Sequence, residues 1–154
     1  MPGNVTDEEL SELIELMSEA ASAFIRGDMR TYAALMRHAD DYTLMPPTGG
    51  EPRFGFDDSD EALDALAQRF RGGESNLRVF QSYSSGNLAV LVAIERQHGR
   101  VGDLPEQDWS LRVTLVFRRE GSEWRLVHRH ADPLVHEIDG EQLAVLARGG
   151  ESHS

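Results

Sequence analysis

Near residue 77 the apolar residues of this chain change their spacing, and that change decides which folds are open to it. Before it, Leu10, Leu13, Ile14, Met17, Ala20, Ala21, Phe24 and Ile25 recur three and four residues apart. That is the stripe of an amphipathic helix, with the glutamates mostly opposite. Thr6-Asp7-Glu8-Glu9 supplies its capping box. Gly27 ends this helix, and Asp28 caps a second, shorter one burying Tyr32, Leu35 and Met36. A third helix is predicted from Ser59, burying Leu63, Leu66, Ala67 and Phe70 and ending at Gly72-Gly73. After residue 77 the period is two. Strands are expected over Leu77–Tyr83, Leu88–Gln97, Asp108–Arg118 and Trp124–His130, with turns at Ser85-Gly86-Asn87 and Glu120-Gly121. Helices first and an antiparallel meander afterwards imply an α+β fold.

Three further segments fill the gaps. Tyr42–Met45 has strand propensity and stops at Pro46-Pro47, which cannot continue a ladder. Residues 48–56 read as a loop, and 140–147 as a short terminal helix burying Leu143 and Leu146 before Gly149-Gly150 and a polar tail. The run Leu88–Ile94 is apolar on both faces, the mark of a strand covered on both sides. In a chain this short a second subunit is the natural cover, so a homodimer through the sheet is expected.

The 154 residues suit a single domain, with its core at about 7–135. There is no cysteine, which excludes disulfides, thiolate metal sites and cysteine nucleophiles. The net charge of −12 repels phosphate backbones and anionic lipid, so neither nucleic acid nor membrane is an expected partner. The start, Met1-Pro2-Gly3-Asn4, lacks the basic and apolar regions of a signal peptide, and a cytoplasmic location is expected. No G-x-S-x-G elbow, Walker loop or G-x-G-x-x-G fingerprint occurs.

Two segments carry a family likeness. Gly27-Asp28, with Asp40-Asp41 and Met45-Pro46 downstream, resembles the opening of SnoaL-like domains. Arg112-Val113-Thr114, then Glu120-Gly121 and Trp124 to His130, resembles the close shared by ketosteroid-isomerase-like proteins and the kinase association domain. The chain is thus similar to the NTF2-like superfamily over roughly residues 8–135. The resemblance implies a cone of helices on a curved sheet, enclosing a pocket and usually dimeric. It leaves the activity open, because members include isomerases, cyclases, dehydratases, hydrolases and inert assembly modules. It also implies a pocket without metal or cofactor.

Strict alternation puts Trp124, Leu126, His128 and His130 on one face of the last strand. If that face is concave, His128 and His130 enter the pocket as acid/base or hydrogen-bonding groups. Otherwise they are structural residues bonded to their neighbours. A metal held by both would need a third ligand, Asp132 or Glu95. Arg112 sits mid-strand among apolar residues, where a guanidinium needs a partner. It is either a clamp for a ligand carboxylate or the partner of Glu95, Glu106 or Asp108. Tyr42 can offer a hydroxyl to a ligand oxygen, Trp109 a wall and Glu95 a carboxylate, whereas Tyr32 reads as core. In related isomerases an aspartate base works with a tyrosine-containing oxyanion hole; Asp40 and Asp41 lie near the corresponding region. The expected ligand is a small apolar carbonyl or carboxylate compound. The alternative is a non-catalytic dimeric module.

Overall fold

The computed structural model describes residues 4–148; the Gly149-Gly150 pair and the polar tail lie outside them. Helix α1 (Asp7–Ile25) opens on the expected box, with Glu9 N–H donating to Thr6 Oγ1 at 3.1 Å and Thr6 N–H to Glu9 at 2.9 Å. It ends in a Schellman turn, in which Gly27 N–H donates to the Phe24 carbonyl and Asp28 N–H to that of Ala23, both at 2.9 Å. Asp28 then caps α2 (Met29–Leu35). Of the three residues expected inside from this segment, Tyr32 and Met36 are buried and Leu35 is half-buried.

Strand β1 (Arg37–Met45) begins five residues earlier than its sequence suggests, and a two-residue β2 (Arg53–Phe54) pairs with it from inside the expected loop. Helix α3 (Asp60–Arg69) stops before Gly72-Gly73, buries only Leu63, and runs directly into β3 (Phe70–Ser85). The glycine pair is needed within that strand, not at a helix end. A Cβ on Gly73 would lie 2.2 Å from the His98 carbonyl oxygen, and Gly73 has φ +148°. The remaining strands are β4 (Leu88–Val101), β5 (Gln107–Asp108), β6 (Leu111–Glu120) and β7 (Glu123–Asp132).

The sheet runs β2-β1-β7-β6-β4-β3, with β5 against β4. All pairings are antiparallel except β1 with β7. Helix α1 covers the concave side, against β3 and β4. There Leu13, Met17, Met36, Leu91, Leu115, Phe117 and Leu126 form a core with at most 2% of each exposed. Burying each such side chain contributes about 1.5–3 kcal/mol. Strand β4 shows both faces of the expected apolar run: Ala89, Leu91 and Ala93 are buried inward. On the outer side Leu88 and Val92 remain 44% and 37% exposed while Val90 and Ile94 are half-buried, so the described residues cover this face only in part.

Helix α4 (Gly140–Leu146) forms where expected, but Leu143 and Leu146 are not buried. They stand 52% and 63% exposed because no element among the described residues covers them. Among the described residues no helix is long and apolar enough to cross a membrane.

Candidate functional site

A bulge in β7 decides which side chains enter the cone. Val116 of β6 pairs with His128 and the next residue, Phe117, with Leu126, so Val127 is an extra residue in β7. Each inserted residue flips the side chains that follow to the other face. Leu126 points inward, and so do Arg129 and Ala131, the residues opposite inward-facing Leu115 and Val113. The expectation that His128 and His130 line the interior is therefore corrected. Both lie on the outer face, where His128 Nδ1 is 2.8 Å from Thr43 Oγ1 and His130 borders an exposed groove. Among the described residues no third ligand joins them to form a metal cluster.

Arg112 also faces outward. Its guanidinium grips Asp132 with two bonds of 3.0 and 3.1 Å, a partner not among those expected. Trp109 donates its indole N–H to the Gly99 carbonyl at 3.1 Å, which ties the β5–β6 connection to β4. Asp41 is exposed and paired with Arg118, whose hydrogen bonds hold its carboxyl below the usual range. Tyr42 and Glu95 are the two expected site residues that do face inward.

They meet a residue that the alternation argument had placed on the other side. Arg129 reaches over β6 and donates to both oxygens of Glu95, at 2.7 Å each. The Glu95 side chain is 3% exposed and that of Arg129 18%. Burial alone would push the guanidinium pKa down; the adjoining Glu95 carboxylate more than offsets this and raises it. A buried ion pair of this kind persists only when both partners are satisfied.

Tyr32, Tyr42, His38 and Phe56 pack beside the pair. The His38 ring stacks on Phe56 with centroids 3.9 Å apart, and meets Tyr42 edge-on at 4.5 Å. Its Nε2 lies 3.2 Å from the Tyr32 hydroxyl. Burial, helped by the positive charge of Arg129, pushes His38 down to about 4. Burial pushes Tyr42 up to about 12 and raises Tyr32 further. At neutral pH the imidazole is therefore uncharged and both phenols are protonated. With the imidazole proton on the side of the Met36 backbone, Tyr32 donates to Nε2. The Tyr42 hydroxyl has no hydrogen-bond partner among the described residues.

The depressed pKa of His38 sets an acid limb on stability. Between about pH 6.5 and pH 4 the unfolded imidazole binds a proton that the folded one refuses, so stability falls as pH is lowered through that window. The full loss is of order 3 kcal/mol, from about 1.4 kcal/mol per pH unit. Urea denaturation at pH 7 and pH 4.5 should show this loss, and His38→Phe should remove most of it. An unchanged acid limb in the variant would contradict the assignment.

The frame that holds these groups is shared with known proteins. The family model for the SnoaL-like domain matches residues 13–135. The chain belongs to the SnoaL-like family. Its fold is that of NTF2-like proteins of known structure. A provisional dehydratase of the NTF2-like family from Streptomyces avermitilis superposes with a TM-score of 0.64 at 20% identity, over 85% of this chain and 100% of that one. An NTF2-like protein of unknown function from Pseudomonas putida KT2440 gives 0.63 at 21% identity, over 90% and 93%. The association domain of CaMKII from C. elegans gives 0.59 at 12% identity, over 81% and 95%. No curated protein matches the chain. The SnoaL-like match stops at residue 135, so α4 lies beyond it.

Arg129, His38 and Phe56 were missed from sequence. A partial signal for Arg129 was present: Glu95 directly follows an apolar strand run and needed a cationic partner.

Proposed function

We propose that this SnoaL-like protein binds a small carbonyl or carboxylate compound inside the cone, with the Tyr42 hydroxyl and the Arg129 guanidinium donating to a ligand oxygen. The observation that carries this reading is the unpartnered Tyr42 hydroxyl beside a buried, charge-neutral Arg129–Glu95 pair. Its oxygen is not sealed off from solvent, so a ligand oxygen would take the place of water there. Phe56, stacked on His38 and edge-on to Tyr42 at 6.5 Å, is the side chain such a ligand would displace.

The arrangement favours binding over proton abstraction. Both Glu95 oxygens are engaged by Arg129, and His38 is a weak base whose Nε2 is already bonded. A general base needs a free lone pair near the pH of operation. Thermal-shift screening against small carboxylates and cyclic ketones tests the reading. A hit is expected to lose roughly 2- to 12-fold in affinity on Tyr42→Phe, the worth of one hydrogen bond. A hit that binds Tyr42→Phe as tightly as wild type would remove Tyr42 from the site.

A second reading rests on the outer face of the sheet. Phe80, Tyr83, Leu88 and Val92 stand exposed there, 53%, 58%, 44% and 37% respectively. Side by side on β3 and β4, they make an apolar surface of the kind that marks an interaction site. We take it as the homodimer face, with His128, His130 and Arg112 on or beside it.

A further inference from the structure

Helix α4 is capped at its start but has no support from the described residues. Asp139 accepts from Gln142 N–H at 2.8 Å, and the Gln142 side chain accepts from Asp139 N–H at 3.2 Å, completing a capping box. Yet the helix is seven residues long and buries none of them. Isolated helices shorter than about 12–15 residues are marginal in water, so tertiary packing normally supports them. Leu143, Val145 and Leu146 are 52%, 58% and 63% exposed. The helix lies outside the family match, whereas the sheet lies within it.

The outer face of the sheet offers a complementary surface. A groove of about 380 Å³ runs between Phe80, Val92, Ile94, Thr114 and His130. The strand register places Arg78, Ile94, Arg112 and Asp132 side by side across four strands at one end of it. Arg78 lies over the Phe80 ring at 4.8 Å and has no ion pair among the described residues, while Arg96, further along β4, lies close enough to Asp108 to help lower its carboxyl pKa. The approach to α4 carries the opposite charge: Glu137, Asp139 and Glu141 precede the apolar Leu143–Leu146 turn. Apolar matches apolar and acidic matches basic, in the same order along both surfaces. Meanwhile the rows at Leu88 and Val90, near the β3–β4 turn, stay free for sheet-on-sheet contact.

We propose that α4 is an intermolecular clasp, which docks its Leu143–Leu146 turn into the outer-face groove at Phe80 and Val92 of a second copy of this chain. The clasp rests on the homodimer reading given above. Two-fold symmetry makes the exchange reciprocal, so each dimer contains two such contacts. The acidic turn of each arm meets Arg78 and Arg96 of the opposite copy.

Sedimentation of the full chain over a concentration series tests this. The dimer dissociation constant is expected to rise at least about tenfold for Leu143→Asp/Leu146→Asp and for Phe80→Asp. Combining the two sets should add little further, because they remove one contact. Arg78→Glu should weaken the dimer, and adding Glu141→Arg should restore part of the loss. Val90→Asp, on the sheet but away from the groove, checks the dimer face by itself. If Val90→Asp dissociates the dimer while the α4 variants leave it unchanged, the clasp is wrong and the dimer reading stands. Should the α4 variants lower only the melting temperature, the helix folds back on its own chain and the proposal fails. A wild-type chain that is monomeric at all concentrations ends both readings.

Discussion

Replacing Glu95 with alanine is expected to destabilise the protein by about 3–5 kcal/mol, a large part of the stability of a domain this size. The cost comes from what is left behind. Arg129 would lose both acceptors at once while its guanidinium stays inside the cone, with 18% of its side chain exposed. Glu95 is its only ion-pair partner among the described residues. Removing both charges should behave very differently. Glu95→Leu combined with Arg129→Met leaves no orphan, and such replacements of buried pairs are commonly neutral or stabilising by about 1–4 kcal/mol. Chemical denaturation of the three proteins decides the matter. A Glu95→Ala variant within about 1 kcal/mol of wild type would mean that water reaches the pair.

Gly27→Ala is expected to cost about 2–5 kcal/mol, combining left-handed backbone strain with overpacking. Gly27 has φ +81°, and a Cβ there would lie 2.2 Å from the Phe70 carbonyl oxygen and 3.2 Å from that of Ala67. Neither obstacle is a flexible side chain. Both are backbone atoms at the junction of α3 and β3, so relief requires moving that junction away from the α1–α2 turn. Gly27→Asn separates the two causes. Asparagine tolerates the left-handed conformation but carries the same Cβ. If the contact dominates, Asn should be nearly as harmful as Ala; recovery in Asn would assign the cost to conformation. Thermal unfolding of both variants reads the difference.

Much of the frame was legible because it rests on local rules. The Thr6 box, the Gly27-Asp28 hinge and the two-faced β4 run each follow from a few adjacent residues. The interior was less legible because it depends on parity, and parity depends on bulges. One extra residue at Val127 exchanged His128 and His130 for Arg129. Nothing in Trp-Arg-Leu-Val-His-Arg-His announces that insertion, since Val is at home in either geometry. Gly72-Gly73 was misread for a related reason: a glycine pair after a helix resembles a terminator, whereas here it admits the backbone of β4. His38 and Phe56 were invisible because ring stacking between a strand and a distant loop leaves no periodic trace. Glu95 and Tyr42 were found because an acid or a phenol bordering an apolar run signals burial with a purpose.

The parallel pairing of β1 with β7 has a consequence for how the chain is made. Its register joins Arg37 to Arg125 and Met45 to His130, separations of more than eighty residues. During synthesis β1 emerges long before the strand that will complete it, and its edge waits unpaired. Contacts so distant along the chain slow folding, because the loop must close before the ladder can form. An apolar strand in that position would recruit other nascent chains. Arg37, Asp40 and Asp41, all exposed on β1, put charge on the waiting edge. Charges on the surface of the finished molecule thus guard the interval before it is finished.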